Sequence, residues 1–405
     1  MGISIQKAFQ TISKNVLKVS TEIIPIENSK NRILAQDIYA KLSIPTFHNS
    51  AMDGYAVKIK DANQEVKIVD LILAGSEKTT NFNEGQCVKI MTGARVPSAT
   101  EAIIPKELIT IIDDKTVLLP DIIMPNQHIR FIGEDVEKDE KLLSIGEEVN
   151  FASVTILASQ GISHIKVYRK PKISVFTSGE ELKAHYEKIE DYQIFNSNTP
   201  SLLNRAEELG ADVTFAGIAK DNVKSLQELI SNSLQSDLVI TTGGISVGDA
   251  DFTKEAFDSF DMETLIEGII IKPGKPTVFS KINNTYILNL PGNPLAAALI
   301  FEVFGKIIMQ KLSGSKDIYH NTLLAKMGEK LINNKGRTTI IPGYFDGEYF
   351  IASEKRAAGM VGVLHKCNSL IILDKETENI EKETIVKILP INWKFFTDKE
   401  KNYFN

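Results

Sequence analysis

Apolar residues recur at helical spacing near the start of the chain, at Ile5, Ala8, Phe9, Ile12, Val16 and Val19. The pattern predicts a helix there and a second short one over residues 28–34. After Pro45 the texture changes to short β-branched runs at 66–72, 86–90, 102–105 and 116–119, broken by Gly, Pro, Asn and Asp, which predicts a small β domain. A helical pattern returns over 151–158, followed by a strand at 165–168. That helix is expected to pack with the N-terminal ones, making the β domain an insertion. Beyond Pro171 strands (172–177, 213–218, 238–242, 285–290) alternate with helices (197–209, 223–234, 254–260, 295–311), the pattern of a parallel sheet covered on both faces. From about Asp317 the chain turns β again. Tyr344 to Phe350 reads as a hairpin with an Asp346-Gly347 type I′ turn, and runs at 370–373 and 384–391 complete a small β-barrel-like part. The expected architecture is multidomain α/β plus β. It comprises a discontinuous helical domain (1–45 and 138–170), an inserted β domain (46–137), a three-layer αβα domain (171–316) and a C-terminal β domain (317–405). No internal repeat or low-complexity segment interrupts it.

Composition narrows the function classes. The 405 residues are 43% hydrophobic and 24% charged with a net charge of -6, which fits a globular protein and argues against non-specific binding to nucleic acid. Cys87 and Cys367 are the only cysteines and form no zinc-type spacing, as expected of a reducing compartment. Met1 to Gln10 lacks the basic start and apolar core of a signal peptide. The longest apolar stretch, Leu295 to Phe304, carries Glu302 and is too short to cross a bilayer. A soluble, cytoplasmic protein without a membrane partner is expected.

In an open parallel sheet, ligands sit beyond the carboxyl ends of the strands. Three predicted loops there are rich in Gly and polar residues: Thr177-Ser178-Gly179-Glu180-Glu181, Thr242-Gly243-Gly244-Ile245-Ser246-Val247-Gly248-Asp249-Ala250-Asp251, and Leu290-Pro291-Gly292-Asn293-Pro294. Glycines let backbone N–H groups approach an anion, and helix N-termini add a favourable dipole, so together the loops form a candidate phosphate cradle. Each loop alone is better read as plain turn geometry, and it is the three together in one αβ unit that favour the cradle. None fits the dinucleotide or P-loop pattern. Lys272-Pro273-Gly274-Lys275-Pro276 adds two lysines on a stiff turn, to be read either as an oxyanion holder or as a solvated surface turn. Glu181, Asp249 and Asp251 would repel a phosphate unless Mg²⁺ or a ligand N–H met them; helix N-capping is the other reading for Asp249 and Asp251.

In this order the loops resemble the molybdopterin molybdotransferase family, which includes bacterial MoeA and the E domain of gephyrin. The same resemblance runs through Asn49-Ser50-Ala51-Met52-Asp53-Gly54-Tyr55-Ala56-Val57, Ile90-Met91-Thr92-Gly93-Ala94 with Val96-Pro97, and Gly133-Glu134-Asp135. It implies a pterin-binding αβα domain and an elongated homodimer whose cleft joins that domain of one subunit to the first two domains of the other. The implied reaction takes adenylylated molybdopterin (molybdopterin-AMP) and molybdate, cleaves the pyrophosphate link, releases AMP and yields molybdenum cofactor, with Mg²⁺ assisting. Carried over by motif, Asp53, Asp135, Glu181, Asp221 and Asp251 would be catalytic, with Glu181 and Asp251 on the metal. Thr92, Ser178, Gly179, Gly243, Gly244, Ser246, Gly248, Lys272, Lys275, Pro291, Gly292, Pro294 and Arg337 would bind substrate. The preceding adenylyltransferase and cofactor-receiving enzymes are the implied protein partners.

Three departures from the family pattern stand out. His48 replaces an Asp, Gly336-Arg337-Thr338-Thr339-Ile340 replaces Gly-Arg-Thr-Glu-Phe, and Ala357-Ala358 stands where Gly-Ser is expected. Two rival functions are a pterin-binding scaffold without catalysis and a molybdopterin adenylyltransferase. The first lacks a long basic or Ser/Pro-rich linker here, and the second would not need the first, second and last domains.

Overall fold

Helix formation at the start of the chain follows the apolar stripe: Ile5–Asn15 buries Ile5, Ala8 and Ile12, and Ser4 caps it by accepting the Lys7 N–H. Its end is fixed from outside, because the Tyr286 hydroxyl donates to the Asn15 carbonyl and accepts the Leu17 N–H. The computed structural model describes residues 2–243, 252–392 and 400. The expected second helix over 28–34 is absent. A strand, Thr21–Pro25, pairs antiparallel with His164–Tyr168, a 3₁₀ turn covers Ile26–Asn28, and Asn31 at φ 60 breaks any helix before Ile33 and Leu34 form isolated bridges.

Two compact units are present. One takes the residues up to Gln36, Ile145–Phe151 and those from His164 on; the other takes Asp37–Ser144 and Ala152–Ser163. The second holds a six-stranded sheet ordered Ala102–Pro105, Gly54–Val57, Gln86–Ile90, Glu65–Ile72, Thr116–Leu118, Thr110–Asp113. Alternate residues serve its two faces: Tyr55, Val57 and Cys87 enter one apolar cluster, and Ala56, Val88 and Ile90 the other. Burial pushes the Cys87 thiol up to about 12. Helix Phe151–Ser159 is followed by Gln160, whose carboxamide oxygen accepts the Lys41 and Leu42 N–H groups.

The first unit is built on a six-stranded sheet. In chain order its elements are β1 (Lys172–Ser178), α1 (Asn198–Glu208), β2 (Asp212–Ala219), α2 (Val223–Ser233), β3 (Leu238–Thr242), α3 (Phe252–Asp258), β4 (Glu263–Glu267), β5 (Val278–Ile282), β6 (Thr285–Leu290), α4 (Pro294–Ile300) and α5 (Lys306–Leu312). The strand order is β2-β1-β3-β6-β5-β4. The sheet is mixed rather than purely parallel: β2, β1, β3 and β6 run parallel, whereas β4 and β5 add antiparallel at one edge. Only two residues join β5 to β6, with Asn283 at φ 52, and so short a link makes a hairpin. Ile173, Val175, Ile240 and Leu288 face α1, α4, α5 and the N-terminal helix; Phe176, Val239 and Ile287 face α2 and α3. The three-layer expectation therefore holds.

Past α5, strands β7 (Leu323–Met327), β8 (Thr338–Phe345), β9 (Tyr349–Ala352), β10 (Ser369–Leu373) and β11 (Ile385–Pro390) close a five-stranded barrel in the order β8-β9-β7-β11-β10 and back to β8. Met327, Ile341, Phe345, Phe350, Ile371 and Ile388 fill it. The β8–β9 turn is not type I′. Phe345 pairs with Phe350, only Gly347 has positive φ, and the Asp346 carboxylate accepts the Glu348 and Tyr349 N–H groups.

Between α4 and α5 the helix widens into a π-helical turn, Phe301–Gly305. A Cβ on Gly305 would lie 2.3 Å from the Phe301 ring, which is buried and has nowhere to move. Gly305→Ala should therefore destabilise the protein by about 1–3 kcal/mol. Denaturant unfolding checks this, and an unchanged midpoint would show that the turn can relax.

Candidate active site

Strands β1, β3 and β6 end level, since Thr177 pairs with Thr242 and Thr242 with Leu290. Buried hydroxyls clamp these ends. Thr177 Oγ1 donates to the Thr242 carbonyl (2.8 Å), Thr242 Oγ1 donates to Thr177 Oγ1 (2.9 Å), and Thr241 Oγ1 donates to Asn289 Oδ1 (2.5 Å). The loops that follow are consequently brought together. At Gly243, φ is 91° and an added Cβ would sit 2.7 Å from the Ser178 carbonyl; a Cβ on Gly292 would lie 3.4 Å from the Gly243 Cα. Ser178, Gly179, Gly243, Pro291 and Gly292 thus share one surface at the carboxyl end of the sheet. Gly244, Ser246, Gly248, Asp249 and Asp251 lie outside the described residues.

Carboxylates edge this surface. The Glu181 carboxylate folds over Gly179, close enough that a Cβ there would be 2.7 Å from Oε2, and it makes no ion pair among the described residues. Asp221 does something the sequence did not announce: its Oδ2 accepts the Glu180 N–H at 3.3 Å and so holds the loop that presents Glu181. Asn198 was missed altogether. It leads α1 and its Nδ2 donates to the Gly292 carbonyl at 2.7 Å. The signal available was Asn196, whose side chain accepts the Thr199 N–H and fixes the start of that helix.

The third loop corrects the expected phosphate cradle. Pro294 has no N–H, and the Leu295 and Ala296 N–H groups are both taken by the Ala358 carbonyl at 3.0 and 3.3 Å. The first turn of α4 therefore offers no free amide at these positions. Its partner is the barrel loop that carries the Ala357-Ala358 departure.

The lysine turn is rigid. Gly274 has φ 109°, its Cβ would fall 2.2 Å from Ile300 Cδ1, and Thr277 Oγ1 donates to its carbonyl. Ile271–Lys272 adds to β8 as a short parallel strand, with Ile271 opposite Thr338 and Lys272 opposite Thr339. Arg337, one residue upstream of Thr338, is thereby brought to the strand pair that holds Lys272. Lys272, Lys275 and Arg337 have no ion-pair partner among the described residues. Two hydroxyls that could stand in for a Ser at position 358 are committed or sealed: Ser353 Oγ donates to the Lys355 carbonyl, and Ser369 Oγ is buried in β10 with no partner.

The second unit carries its own group. Asp53 Oδ1 accepts the Thr92 N–H (2.9 Å) and hydroxyl (2.8 Å), and Lys106 Nζ lies 3.6 Å from Oδ2. These bonds, the Thr92 N–H first and Lys106 last, hold the exposed Asp53 carboxyl below its ordinary value. Lys106 lies outside every motif and could not have been read. The Asn49-to-Asp53 and Met91-to-Ala94 motifs are laced together by Ser50 N–H to Ala94 carbonyl and Gly93 N–H to Ser50 carbonyl bonds. His48 is explained: its Nδ1 accepts the Ile132 N–H at 3.2 Å, so an acceptor stands where the pattern has an Asp. Asp135 is exposed, with its N–H on the Ile44 carbonyl. Among the described residues no three His, Cys, Asp or Glu side chains lie together as a metal site, and no helix is long and apolar enough to cross a membrane.

Three family models match the chain: the MoeA N-terminal region (domains I and II) over residues 3–161, a probable molybdopterin binding domain over 174–311, and the MoeA C-terminal region (domain IV) over 324–391. A molybdopterin molybdenumtransferase of Haemophilus influenzae is 33% identical over 391 residues, spanning 92% of this chain and 94% of that protein. The chain belongs to the molybdopterin molybdenumtransferase family. A Staphylococcus epidermidis protein of the same name is 29% identical over 96% of the chain and 95% of its own length. Two crystal structures of a molybdopterin biosynthesis MoeA protein from Pyrococcus horikoshii superpose with TM-scores of 0.83 and 0.85, at 26% and 24% identity. They cover 97% and 96% of this chain and 100% of theirs. Within the molybdenumtransferase family frame, Asp53, Thr92 and Asp135 fall in the N-terminal region, the glycine loops and lysine turn in the molybdopterin binding domain, and Arg337 in the C-terminal region.

Because its folded pKa is depressed, the Asp53 carboxylate contributes stability that is present above the unfolded value of 3.8 and lost as pH falls through the folded one. Carboxyl-carbon NMR should place the Asp53 titration below 3.8 in the wild type and move it toward 3.8 in Thr92→Val. Identical midpoints would remove the Thr92 hydroxyl from the account.

Proposed function

We infer that this chain acts as its named relatives are called to act, transferring molybdenum to molybdopterin: adenylylated molybdopterin and molybdate give AMP and molybdenum cofactor. The observation that carries this is the level ending of β1, β3 and β6 at Gly243, where only a glycine fits, within the segment that matches a molybdopterin binding domain. Ser178, Gly179, Gly243 and Gly292, with Gly244, Ser246 and Gly248, would take the pyrophosphate, framed by Pro291 and Pro294. Lys272, Lys275 and Arg337, without an ion-pair partner among the described residues, would take molybdate, a dianion that needs charged donors. Asp53, Asp135 and Asp221 complete the set; Asp221 acts by holding the Glu180 N–H.

Mg²⁺ belongs to this reading. Glu181 offers an exposed carboxylate with no cationic partner among the described residues, the hard oxygen donor that Mg²⁺ prefers, and Asp251 would join it. When bound, Mg²⁺ would offset negative charge on the pyrophosphate oxygens. A cytoplasmic homodimer is part of the proposal, as is the division into residues 1–45 with 138–170, 46–137, 171–316 and 317–405. So are contacts with an adenylyltransferase and with cofactor-receiving enzymes. A lone adenylyltransferase is disfavoured by the matches outside residues 174–311. Incubating purified protein with adenylylated molybdopterin, Mg²⁺ and molybdate should release AMP and active cofactor; retention of unaltered substrate would make the chain a carrier instead.

If groups from two subunits share one site, Asp53→Ala and Glu181→Ala chains should each be inactive, and mixing them should restore part of the activity in hybrid dimers. Sedimentation of the wild type as a stable, active monomer would refute the shared site.

Molybdate affinity supplies a second check. With Ala358 in place of a Ser, one donor is missing, and Ser353 and Ser369 do not replace it. A charge-assisted bond contributes about 1.5–3 kcal/mol, roughly ten- to hundred-fold in affinity. Arg337→Ala should raise the half-maximal molybdate concentration by about that factor, and Ala358→Ser should lower it. If neither shifts, the barrel does not touch the oxyanion.

A further inference from the structure

Beside the Pro291-to-Pro294 turn lies a slot of about 110 Å³ between α1, α4 and the barrel loop after β9. Its faces are apolar, formed by Leu295 and Ala298 of α4 and by Met360 and Val361 of the loop. Its polar edge is the start of α1, with Ser197, Asn198 and Ser201, and among the described residues no charged side chain lines it. The Ser197 hydroxyl makes no capping bond to its own helix. At the rim, Met360 and Val361 are 36% and 59% exposed, large apolar groups left facing water.

Two connections tie the slot to the glycine surface. Asn198 Nδ2 donates to the Gly292 carbonyl, and Gly292 packs on Gly243. The Ala358 carbonyl, on the Leu295 and Ala296 N–H groups, fixes the loop that brings Met360 and Val361. Size and chemistry then restrict the occupant. Whole-ligand sites are typically about 300–1,000 Å³, so a slot this small takes one ring system and not the entire adenylylated pterin. Without a charged lining it does not select phosphate or molybdate. Apolar faces with a hydroxyl and amide edge suit a flat heteroaromatic ring whose rim carries N and O atoms.

We propose that this slot is the ring subsite of the site, taking the planar heteroaromatic end of the substrate, adenine or pterin, while the pyrophosphate lies over the glycines. It rests on the function proposed above and adds where the ring goes and which loop covers it. Asn198 is then a positioning residue, acting through Gly292.

Calorimetric titration of the full-length wild type with AMP, a free pterin and inorganic pyrophosphate, each with Mg²⁺, tests it against Ala298→Met, which fills the slot. One ring probe should bind the variant at least about tenfold more weakly, with pyrophosphate binding and melting temperature unchanged; the probe affected identifies the ring. Val361→Ala, at an exposed position that tolerates truncation, removes two apolar carbons and should weaken the same probe by up to about tenfold. If both variants bind both ring probes as the wild type does, the ring subsite is lost while the proposed function stands. If pyrophosphate weakens in step with the ring probe, the slot is not a separate subsite and the assignment also falls. Failure of all three probes to bind the wild type would instead sink the functional reading on which the slot depends.

Discussion

With the Ser178 carbonyl 2.7 Å from where a Cβ of residue 243 would be, β1 and β3 can end side by side only if that residue is glycine. The same glycine receives Gly292 from the end of β6. Steric room for one absent methyl group therefore sets how closely three loops meet. The Thr177, Thr242 and Thr241 hydroxyls fix the strands at that level, each bonded and buried, so that they add order without leaving an unpaired polar atom. A displaced strand end would move every backbone group on the surface.

Among the described residues, apolar packing and backbone contacts both join the barrel to this arrangement, with Ile340 and Leu370 in the same core as Leu288 and Leu295. The Ala358 carbonyl caps α4, Ile271–Lys272 adds to β8, and Arg205 of α1 donates to the Ile391 carbonyl past the end of β11. Arg205 also forks onto Glu302, which Lys306 approaches at 3.0 Å. Glu302 is 8% exposed, and such a charge persists inside a protein only when paired, so the π-helical turn that carries it is committed to the α1 side. Nearby, burial pushes His320 down as its Nε2 faces the Val303 carbonyl. The site loops and the loop over the proposed ring slot thus stand on the same few elements.

The Ala358 contact also changes how the departures from the family pattern read. A backbone carbonyl is present whatever the side chain, so replacing Ser by Ala leaves the cap on α4 intact and alters only what the loop offers to an oxyanion. His48 is similar in kind: an imidazole nitrogen keeps the acceptor role toward Ile132. Both substitutions preserve the scaffold while changing the exposed chemistry.

By itself the sequence determined the elements whose cause is local. Short β-branched runs marked the inserted sheet, the alternation of strand and helix patterns beyond Pro171 marked β1, β3 and β6, and the glycines and prolines after those strands marked the loops of the site. Its motifs also carried the family. Where the local pattern predicts a second helix over 28–34, a parallel sheet and a type I′ turn, an Asn conformation breaks the helix, a two-residue link adds antiparallel strands at the sheet edge and a side-chain bond sets the turn. Only the tertiary structure could decide that Lys272 meets β8 beside Arg337, that Lys106 reaches Asp53, and that the α4 amides are already occupied by Ala358. Those contacts join residues tens of positions apart: two run through a backbone carbonyl and strand register, which every residue type shares, and the third is an ion pair whose two side chains only the fold brings together, so no pattern along the chain encodes them.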